Sequence, residues 1–438
     1  MPVAPTMPTR SFFFTLAPLS EGFDLMEGTV YGLLDVSMED TAYTKEPEKT
    51  TVAVGMSGGV DSSVAAALLK EQGYTLVGFF MKNWGDTYGL KESACPWVQD
   101  REDAMRVAAK LDIPFHTLDF EEEYRSQVLD YFFKEYEAGR TPNPDVMCNS
   151  KIKFGVFLDK ALALGADMIA TGHYAKVEYS PFRGGGAYRT SNTSLRDLTQ
   201  STPHLNPLPK GEGTRTAVSL MKARDDNKDQ TYFLHRLDQN QLSRALFPIG
   251  EYTKPEVRLM AKRFGLPNYD KRDSQGVCFI GHINLQTFLK QKIKENPGDI
   301  VTTLGDVVGK HTGLFWYTPG QRKGINIGGT GPFYVVRKDF ETNQLVVTKD
   351  PKDDRLYSTE AIIGDVSWIH NTPATPRLKR EGIMGRIRYR EPLSACAVTP
   401  EGDEYYRVVF EKPQWAVASG QSIVLYDGEV CLGGGIAQ

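Results

Sequence analysis

GMSGGVDSS, residues 55–63, follows the apolar run TVAV and opens a segment in which Val64, Leu68 and Leu69 recur at helical spacing. The context carries the reading: a β-rich run, a glycine turn, then an amphipathic helix. Ser57, Gly58 and Gly59 leave backbone N–H groups uncovered, and the start of the following helix adds partial positive charge. Together they form a cradle for phosphate. No G-x-x-x-x-G-K-[ST] and no G-x-G-x-x-G occurs at this turn, so neither the usual P-loop nor the dinucleotide fingerprint explains it. The bland alternative is a glycine turn with a helix cap.

Outward from this turn, strands and helices alternate. TLVGFFMKNW (75–84), FHTLDF (115–120) and DMIATGHYA (167–175) read as strands. VQDREDAMRVAAKLD (98–112) and segments over about 121–138 and 151–164 read as helices. This rhythm predicts an α/β fold with a parallel sheet covered on both faces, and ligands beyond the carboxyl ends of the strands. Residues 1–48 lack clear periodicity and are expected to be an N-terminal extension, with Met26 and Met38 as alternative starts. Residues 49–238 are expected to form the catalytic domain, interrupted at 180–216 by an insertion rich in Gly, Pro, Ser and Thr. Residues 239–298 read as a small, mostly helical central domain, and 299–438 as one or two antiparallel β-barrels.

The net charge of −4 excludes a generally basic nucleic-acid coat but not a local basic face. Five dispersed cysteines, Cys95, Cys148, Cys278, Cys396 and Cys431, offer no zinc or CxxC spacing, so no protein-held metal is expected. Free thiols fit a reducing compartment. No apolar stretch reaches the length of a membrane span, and SFFFTLAPLS lacks the flanks of a signal peptide. A cytoplasmic monomer is the expectation.

A second segment asks for a purpose. RTPNPDVMCN (140–149) sets two prolines within three positions, then an aspartate and a cysteine. Proline fixes its own φ and pushes Thr141 and Asn143 toward extended geometry. Alone, the loop reads as a turn whose aspartate caps a helix and whose cysteine is an apolar filler.

SGGVDSS resembles the pyrophosphate loop (PP-loop) of ATP pyrophosphatases, which split ATP into AMP and pyrophosphate. Further segments occur in order: FMKNW (80–84), GRTPNPDVMCN (139–149), IKFGVFL (152–158), ATGHYA (170–175), KDQTYFL (228–234), FPIGEYTKPEVR (247–258), DSQGVCFIG (273–281), GQRKGINIGG (320–329) and GEVCLGGGI (428–436). With them the chain is similar to the tRNA-specific 2-thiouridylase family from about residue 51 to the C-terminus. The insertion and the N-terminal extension are the main departures.

The resemblance implies adenylation of the C2 oxygen of the tRNA wobble uridine, followed by attack of a persulfide sulfur. Cys278 matches the persulfide carrier, and Cys148 matches the second cysteine, which would resolve it and leave a Cys148–Cys278 disulfide. Asp145 would act as general base or orienter. A helix beginning near Asn149 would activate Cys148. ATP would contact Gly55, Met56, Ser57, Gly58, Gly59, Val60, Asp61 and Ser62, with Met81 and Gly172 lining the adenosine. Mg²⁺ would arrive with the phosphates, Asp61 being a candidate ligand. Asn143, Pro144 and Asp145 would receive the flipped base. Lys228, Asp229, Gln230 and Gln421 match tRNA-contacting positions. The basic run Arg377, Lys379, Arg380, Arg386, Arg388 and Arg390, with Tyr389 interleaved, reads as a tRNA face or as a solvated barrel face. His173 reads as a tRNA or nucleotide contact or as a packed core histidine. The sulfur would come from a relay protein or a cysteine desulfurase. Two rivals remain open: another ATP pyrophosphatase such as an amidotransferase-type synthetase, and a non-catalytic tRNA- or sulfur-carrier-binding protein.

Overall fold

The computed structural model describes residues 47–84, 97–181, 216–273, 289, 292–325, 327–328, 331–370 and 382–438. Cys95, Cys278, Arg377, Lys379, Arg380, nearly all of the N-terminal extension and most of the insertion lie outside the described residues.

The chain opens with β1 (Thr51–Gly55), α1 (Val60–Glu71), β2 (Thr75–Lys82), α2 (Trp97–Lys110) and β3 (Phe115–Asp119). One long helical stretch joins α3 (Glu121–Tyr124), π-helical Arg125–Leu129 and α4 (Asp130–Glu137). A second joins α5 (Pro144–Met147), π-helical Cys148–Val156 and α6 (Phe157–Ala163), and leads to β4 (Met168–Ala170). Then come β5 (Lys176–Pro181), β6 (Thr216–Met221), α7 (Thr231–Leu234), α8 (Gln239–Ser243), β7 (Ala245–Leu246) and α9 (Lys254–Arg263).

Strands β3-β2-β1-β4-β7 form the expected parallel sheet, with β1 at its centre. Residue alternation along β1 divides two cores, as the two-residue period of a strand requires. Val52 and Val54 join the cluster built with Val64, Leu68, Val107 and Val257, beneath α1, α2 and α9. Ala53 joins the opposite cluster with Phe132, Phe154 and Phe157, under the two long helical stretches. A strand buried on both faces can be apolar throughout, and the buried run 52–54, Val-Ala-Val, is.

Two β modules come next. The first contains β8 (Gly298–Thr302), β9 (Val307–His311), β10 (Tyr334–Asp339) and β11 (Gln344–Thr348), ordered β10-β11-β8-β9. Its β8–β11 pair is parallel, so this sheet is mixed rather than wholly antiparallel as expected. The second contains β12 (Tyr357–Trp368), β13 (Ile383–Arg386), β14 (Ser394–Glu401), β15 (Tyr405–Trp415), β16 (Ser422–Asp427) and β17 (Val430–Ala437). Pairing of β12 with both β15 and β17 closes these six strands into an antiparallel barrel, which removes their free edges.

Two boundaries differ from the sequence reading. The parallel sheet runs past residue 238, because β7 pairs with β4 and α9 packs on α1. The insertion is confined to the tip of a hairpin: β5 and β6 pair from Lys176↔Met221 to Pro181↔Thr216, and β6 adds to the barrel through Val430↔Met221. Among the described residues no helix is long and apolar enough to cross a membrane.

Candidate active site

The GMSGGVDSS turn leaves the carboxyl end of β1 and enters α1 through Gly59, whose extended backbone carries no side-chain cap. The first amides of α1 are thus uncovered by any capping side chain, the condition for binding an anion. Gly58 sits at φ +75°, and a Cβ there would stand 2.1 Å from the Asp100 carbonyl oxygen. Only glycine fits. Gly172 is equally constrained, since its Cβ would stand 2.4 Å from Ser62 N, so the ATGHYA turn lies directly against the first turn of α1. Ser62 Oγ accepts from Ser57 N at 3.2 Å, and Ser63 Oγ donates to the Gly59 carbonyl at 2.8 Å. Met81 reaches to 3.1 Å of the Cβ position of Gly55 and lines the same edge. Met56 and Val60 are buried in the core, so they offer the cradle only backbone atoms.

The sequence reading missed the groups that hold this loop from behind. Buried Asn268 donates to the Gly58 carbonyl at 2.9 Å and to Ser63 Oγ at 3.0 Å. Lys271 donates to the same carbonyl at 3.2 Å while pairing with Asp100 and Asp103 at 2.7 and 2.6 Å. Both come from more than 200 positions downstream of Gly58, a distance over which no periodicity signals contact. The only one-dimensional hint was the basic pair Lys271–Arg272.

Asp61 is committed to protein partners. Lys254 Nζ donates to both of its carboxylate oxygens, at 2.7 and 2.9 Å, and the Tyr174 hydroxyl donates to Oδ1 at 2.9 Å. Lys254 also pairs with Asp273 at 2.8 Å, and Asp273 further pairs with Lys228 at 2.7 Å and Arg258 at 2.8 Å. Burial alone would raise the Asp273 carboxyl; hydrogen bonds from Lys228 and Lys254 override it and hold the group at about 2. Among the described residues no cluster of three or more His, Cys, Asp or Glu could hold a metal ion. Asp61 therefore does not fit as a ready Mg²⁺ ligand in this arrangement.

The proline loop is not a loop to its end. Asn143 caps a helix that begins at Pro144, its side-chain oxygen accepting from Asp145 N at 3.2 Å and Val146 N at 3.4 Å. Proline suits that first helical position, where its missing N–H has no intrahelical partner to lose. The expected start near 149–151 thus moves upstream to Pro144. Cys148 lies in the second turn, not ahead of the helix, and a helix-terminus field fades within the first turn. Asp145 and Cys148 remain one turn apart, a spacing that sets side chains on one face. Cys148 is buried and Asp145 half-buried. The helix is levelled against the sheet edge by Phe157, whose ring lies 3.6 Å from the Cβ position of Gly55. Cys148 opens the π-helical stretch that leads into this Phe157 contact.

The expected tRNA contacts divide. Asp229 is fully buried and pairs with Arg386 at 3.2 Å, with Thr231 and Ala223 N also donating to it. Burial raises its carboxyl despite these bonds. Its side chain is enclosed and bonded within the protein, which leaves only its backbone for the tRNA contact expected of it. Arg388 donates to the carbonyls of Ala416 and Pro319 and lies over the Trp415 ring at 5.4 Å; its guanidinium is turned inward, away from the tRNA role expected of it. His173 is the packed histidine: Nδ1 lies 2.8 Å from Thr171 Oγ1, and its ring meets Phe154 and Phe247. Burial, aided by the charge of Lys153, pushes the imidazole well below its ordinary value, so it stays neutral. Lys228 is occupied by Asp273, and the Gln230 side chain accepts from Tyr174 N at 2.9 Å. The Tyr389 ring meets Phe233 in a tilted contact at 4.5 Å with Arg390 over it, while Gln421 Nε2 donates to the Thr141 carbonyl. Both are half-buried, and Gln421 lies beside the proline loop. Cys396 and Cys431 are buried fillers whose thiols burial pushes up to about 12.

Three family models match in sequence: a tRNA methyl transferase HUP domain over residues 50–282, a tRNA methyl transferase PRC-barrel domain over 286–349, and an aminomethyltransferase beta-barrel domain over 358–437. The first extends past the boundary expected at 238, as the sheet does. Among curated relatives, a tRNA-specific 2-thiouridylase of Alkaliphilus oremlandii is 45% identical over 89% of this chain and 98% of its own length. Proteins with the same name from Thiobacillus denitrificans and Bacillus subtilis are 46% and 44% identical, over 88% and 89% of this chain and 99% and 95% of theirs. Identity at that level over nearly the whole length of each relative, from the phosphate cradle to the closing strand of the barrel, makes this chain a member of the tRNA-specific 2-thiouridylase family.

Proposed function

We propose that the chain thiolates C2 of the wobble uridine of tRNA at the expense of ATP, releasing AMP and pyrophosphate. The observation that carries this reading is the Asn143-capped helix bearing Asp145 and Cys148, which leads into Phe157 packed on Gly55, the first residue of the uncapped phosphate turn.

Uracil C2 holds its oxygen firmly, so that oxygen must first become a leaving group. The cradle at Ser57–Ser62 holds the phosphates of ATP with the α-phosphorus presented to the base oxygen. Mg²⁺ would come with the nucleotide and neutralise phosphate charge, without a ligand from Asp61 in this arrangement. Attack by the C2 oxygen on the α-phosphorus expels pyrophosphate and leaves an adenylated base. The terminal sulfur of a Cys278 persulfide adds to C2, and AMP departs with the oxygen. Cys148 thiolate then attacks Cys278 Sγ, forms the Cys148–Cys278 disulfide and leaves the second sulfur on the uridine. Asp145, one turn before Cys148, takes or orients the proton in transit. Two thiols from a relay protein or a cysteine desulfurase system return the disulfide to its reduced form, and the same system reloads Cys278. Asn143 and Pro144 wall the flipped base, and Gln421 flanks them.

The test is in vitro thiolation of unmodified tRNA with ATP, a cysteine desulfurase and cysteine, read by nucleoside mass spectrometry. Cys278→Ala is expected to abolish 2-thiouridine while tRNA-dependent pyrophosphate release survives. Thiolated product at the wild-type rate from that variant would sink the persulfide assignment. Pyrophosphate release with ammonia in place of sulfur, undisturbed in Cys148→Ser and Cys278→Ser, would favour an amidotransferase-type synthetase.

A further inference from the structure

Ahead of the Asn143 cap, Gly139 and Thr141 are gripped by the β modules, Thr141 by both. From the first module, Thr318 Oγ1 lies 3.0 Å from Thr141 Oγ1, and Lys338 Nζ donates to the Gly139 carbonyl. The Phe340 ring lies so close to Gly139 that a Cβ there would stand 2.0 Å from it. From the barrel, Gln421 Nε2 donates to the Thr141 carbonyl at 2.7 Å, and Thr141 N donates to the Ser419 carbonyl at 2.9 Å. Gly420, at φ +91°, passes within 2.8 Å of Thr141 N as measured from its Cβ position. Both backbone groups of Thr141 are thus bonded to the barrel. Below them Arg140 is held by Glu135, with Nε at 2.6 Å from the carboxylate.

Pro142 and Pro144 connect this grip to the helix. Each fixes its own φ and narrows the residue before it, so few soft dihedrals remain between Thr141 and Asp145. A shift of Thr141 is therefore passed on to Asn143 and to the first turn instead of being absorbed. A displacement of an ångström at reacting groups costs up to ~100-fold in rate.

We propose that Thr318 and Gln421 are positioning residues for the thiolation step, each acting through Thr141 to set the height of Asn143, Asp145 and Cys148. This rests on the thiolation reading above. It assigns the two β modules a share in assembling the catalytic loop and gives Gln421 a task distinct from touching tRNA.

The experiment compares wild type with Thr318→Val, Gln421→Met and the double variant, all as full chains. Thiolation kinetics are run with tRNA, ATP, a cysteine desulfurase and cysteine, and hydrogen exchange is followed in the peptide covering 138–147. In the double variant kcat is expected to fall about tenfold or more while KM for tRNA stays within about twofold. Exchange at Thr141 is expected to quicken, and Thr318→Ser to restore the rate. Unchanged kcat, or a rise in KM for tRNA alone, overturns the proposal; so does a rate loss that follows the thermal midpoint without faster local exchange. Should the double variant fail to fold, Thr318→Val alone carries the test, because valine matches threonine in shape and lacks only the hydroxyl. Absence of 2-thiouridine in the wild type would instead defeat the thiolation reading, and loop exchange would still report whether the grip exists.

Discussion

At the scale of single residues, charge placement decides what each group does. Asp61 sits in the first turn of α1, where a carboxylate next to bound phosphates repels them unless it is neutralised. Lys254 neutralises it and carries the link onward to Asp273. Neither partner was legible as such, because Lys254 lies 193 positions from Asp61 and no local pattern links the two. Cysteines and prolines were legible because their chemistry is scarce and local. Lys338 makes a measurable case of a hidden cation. Burial lowers its ammonium to about 8 from an ordinary 10.5. Between those values the unfolded chain keeps the proton and the native state has lost it, so stability rises with pH across that window. Below about pH 8 the cost of burying the charge is fully present. Relative to Lys338→Met, the wild type should therefore gain on the order of 3 kcal/mol between about pH 8 and about pH 10.5, at ~1.4 kcal/mol per unit. Urea unfolding of both proteins along a pH series reads the difference directly; parallel curves would show that the amine is solvated in the folded state.

At the scale of elements, the parallel sheet was legible in the sequence because both signals it needs are short-ranged: apolar runs of strand length, and glycine turns opening into helices. The helix start at Pro144 was not, since a proline pair reads as an interruption until Asn143 is seen to cap the turn beyond it. The central segment 239–298 read as a separate domain because β7 has only two residues, too few to register as a strand. Contact between elements is where the site becomes exacting. The end of β4 runs into ATGHYA, and Gly172 lets that turn touch Ser62 N in the first turn of α1. In Gly172→Ala the added methyl meets backbone on the far side, which cannot rotate away. The turn and the helix start must separate, widening the phosphate cradle. KM for ATP is expected to rise about tenfold, equivalent to ~1.4 kcal/mol of binding, with tRNA affinity unchanged. Steady-state kinetics at varied ATP measure it; an unaltered KM would mean that ATP does not use this junction.

At the scale of the whole molecule, the three parts are joined by polar pins set in a continuous apolar cluster that runs from Ala53 through Val347 to Cys431. Asp229 and Arg386 form one pin, Thr231 and Tyr426 another at 3.1 Å, and the Tyr232 hydroxyl donates to the Ser422 carbonyl at 2.9 Å. A chain so joined tolerates added length only where no pin or core residue is crossed. The tip of the β5–β6 hairpin is such a place. Its last pair, Pro181↔Thr216, brings the ends of the 182–215 segment into register as neighbours, so the connection between them needs only a turn. Replacing residues 182–215 with Asn-Gly, the dipeptide that suits a two-residue hairpin, should leave the strand pairing and the Val430↔Met221 junction with the barrel intact. Closing a shorter loop costs less entropy, by ~0.6 kcal/mol per halving of length, so the thermal midpoint should hold or rise slightly. Thiolation kcat and KM for tRNA are expected to stay within about twofold of wild type, since the described positioning contacts to Thr141 come from Thr318, Ser419 and Gln421 and not from β5 or β6. A fall in kcat with an unchanged midpoint would instead assign the insertion a part in the reaction.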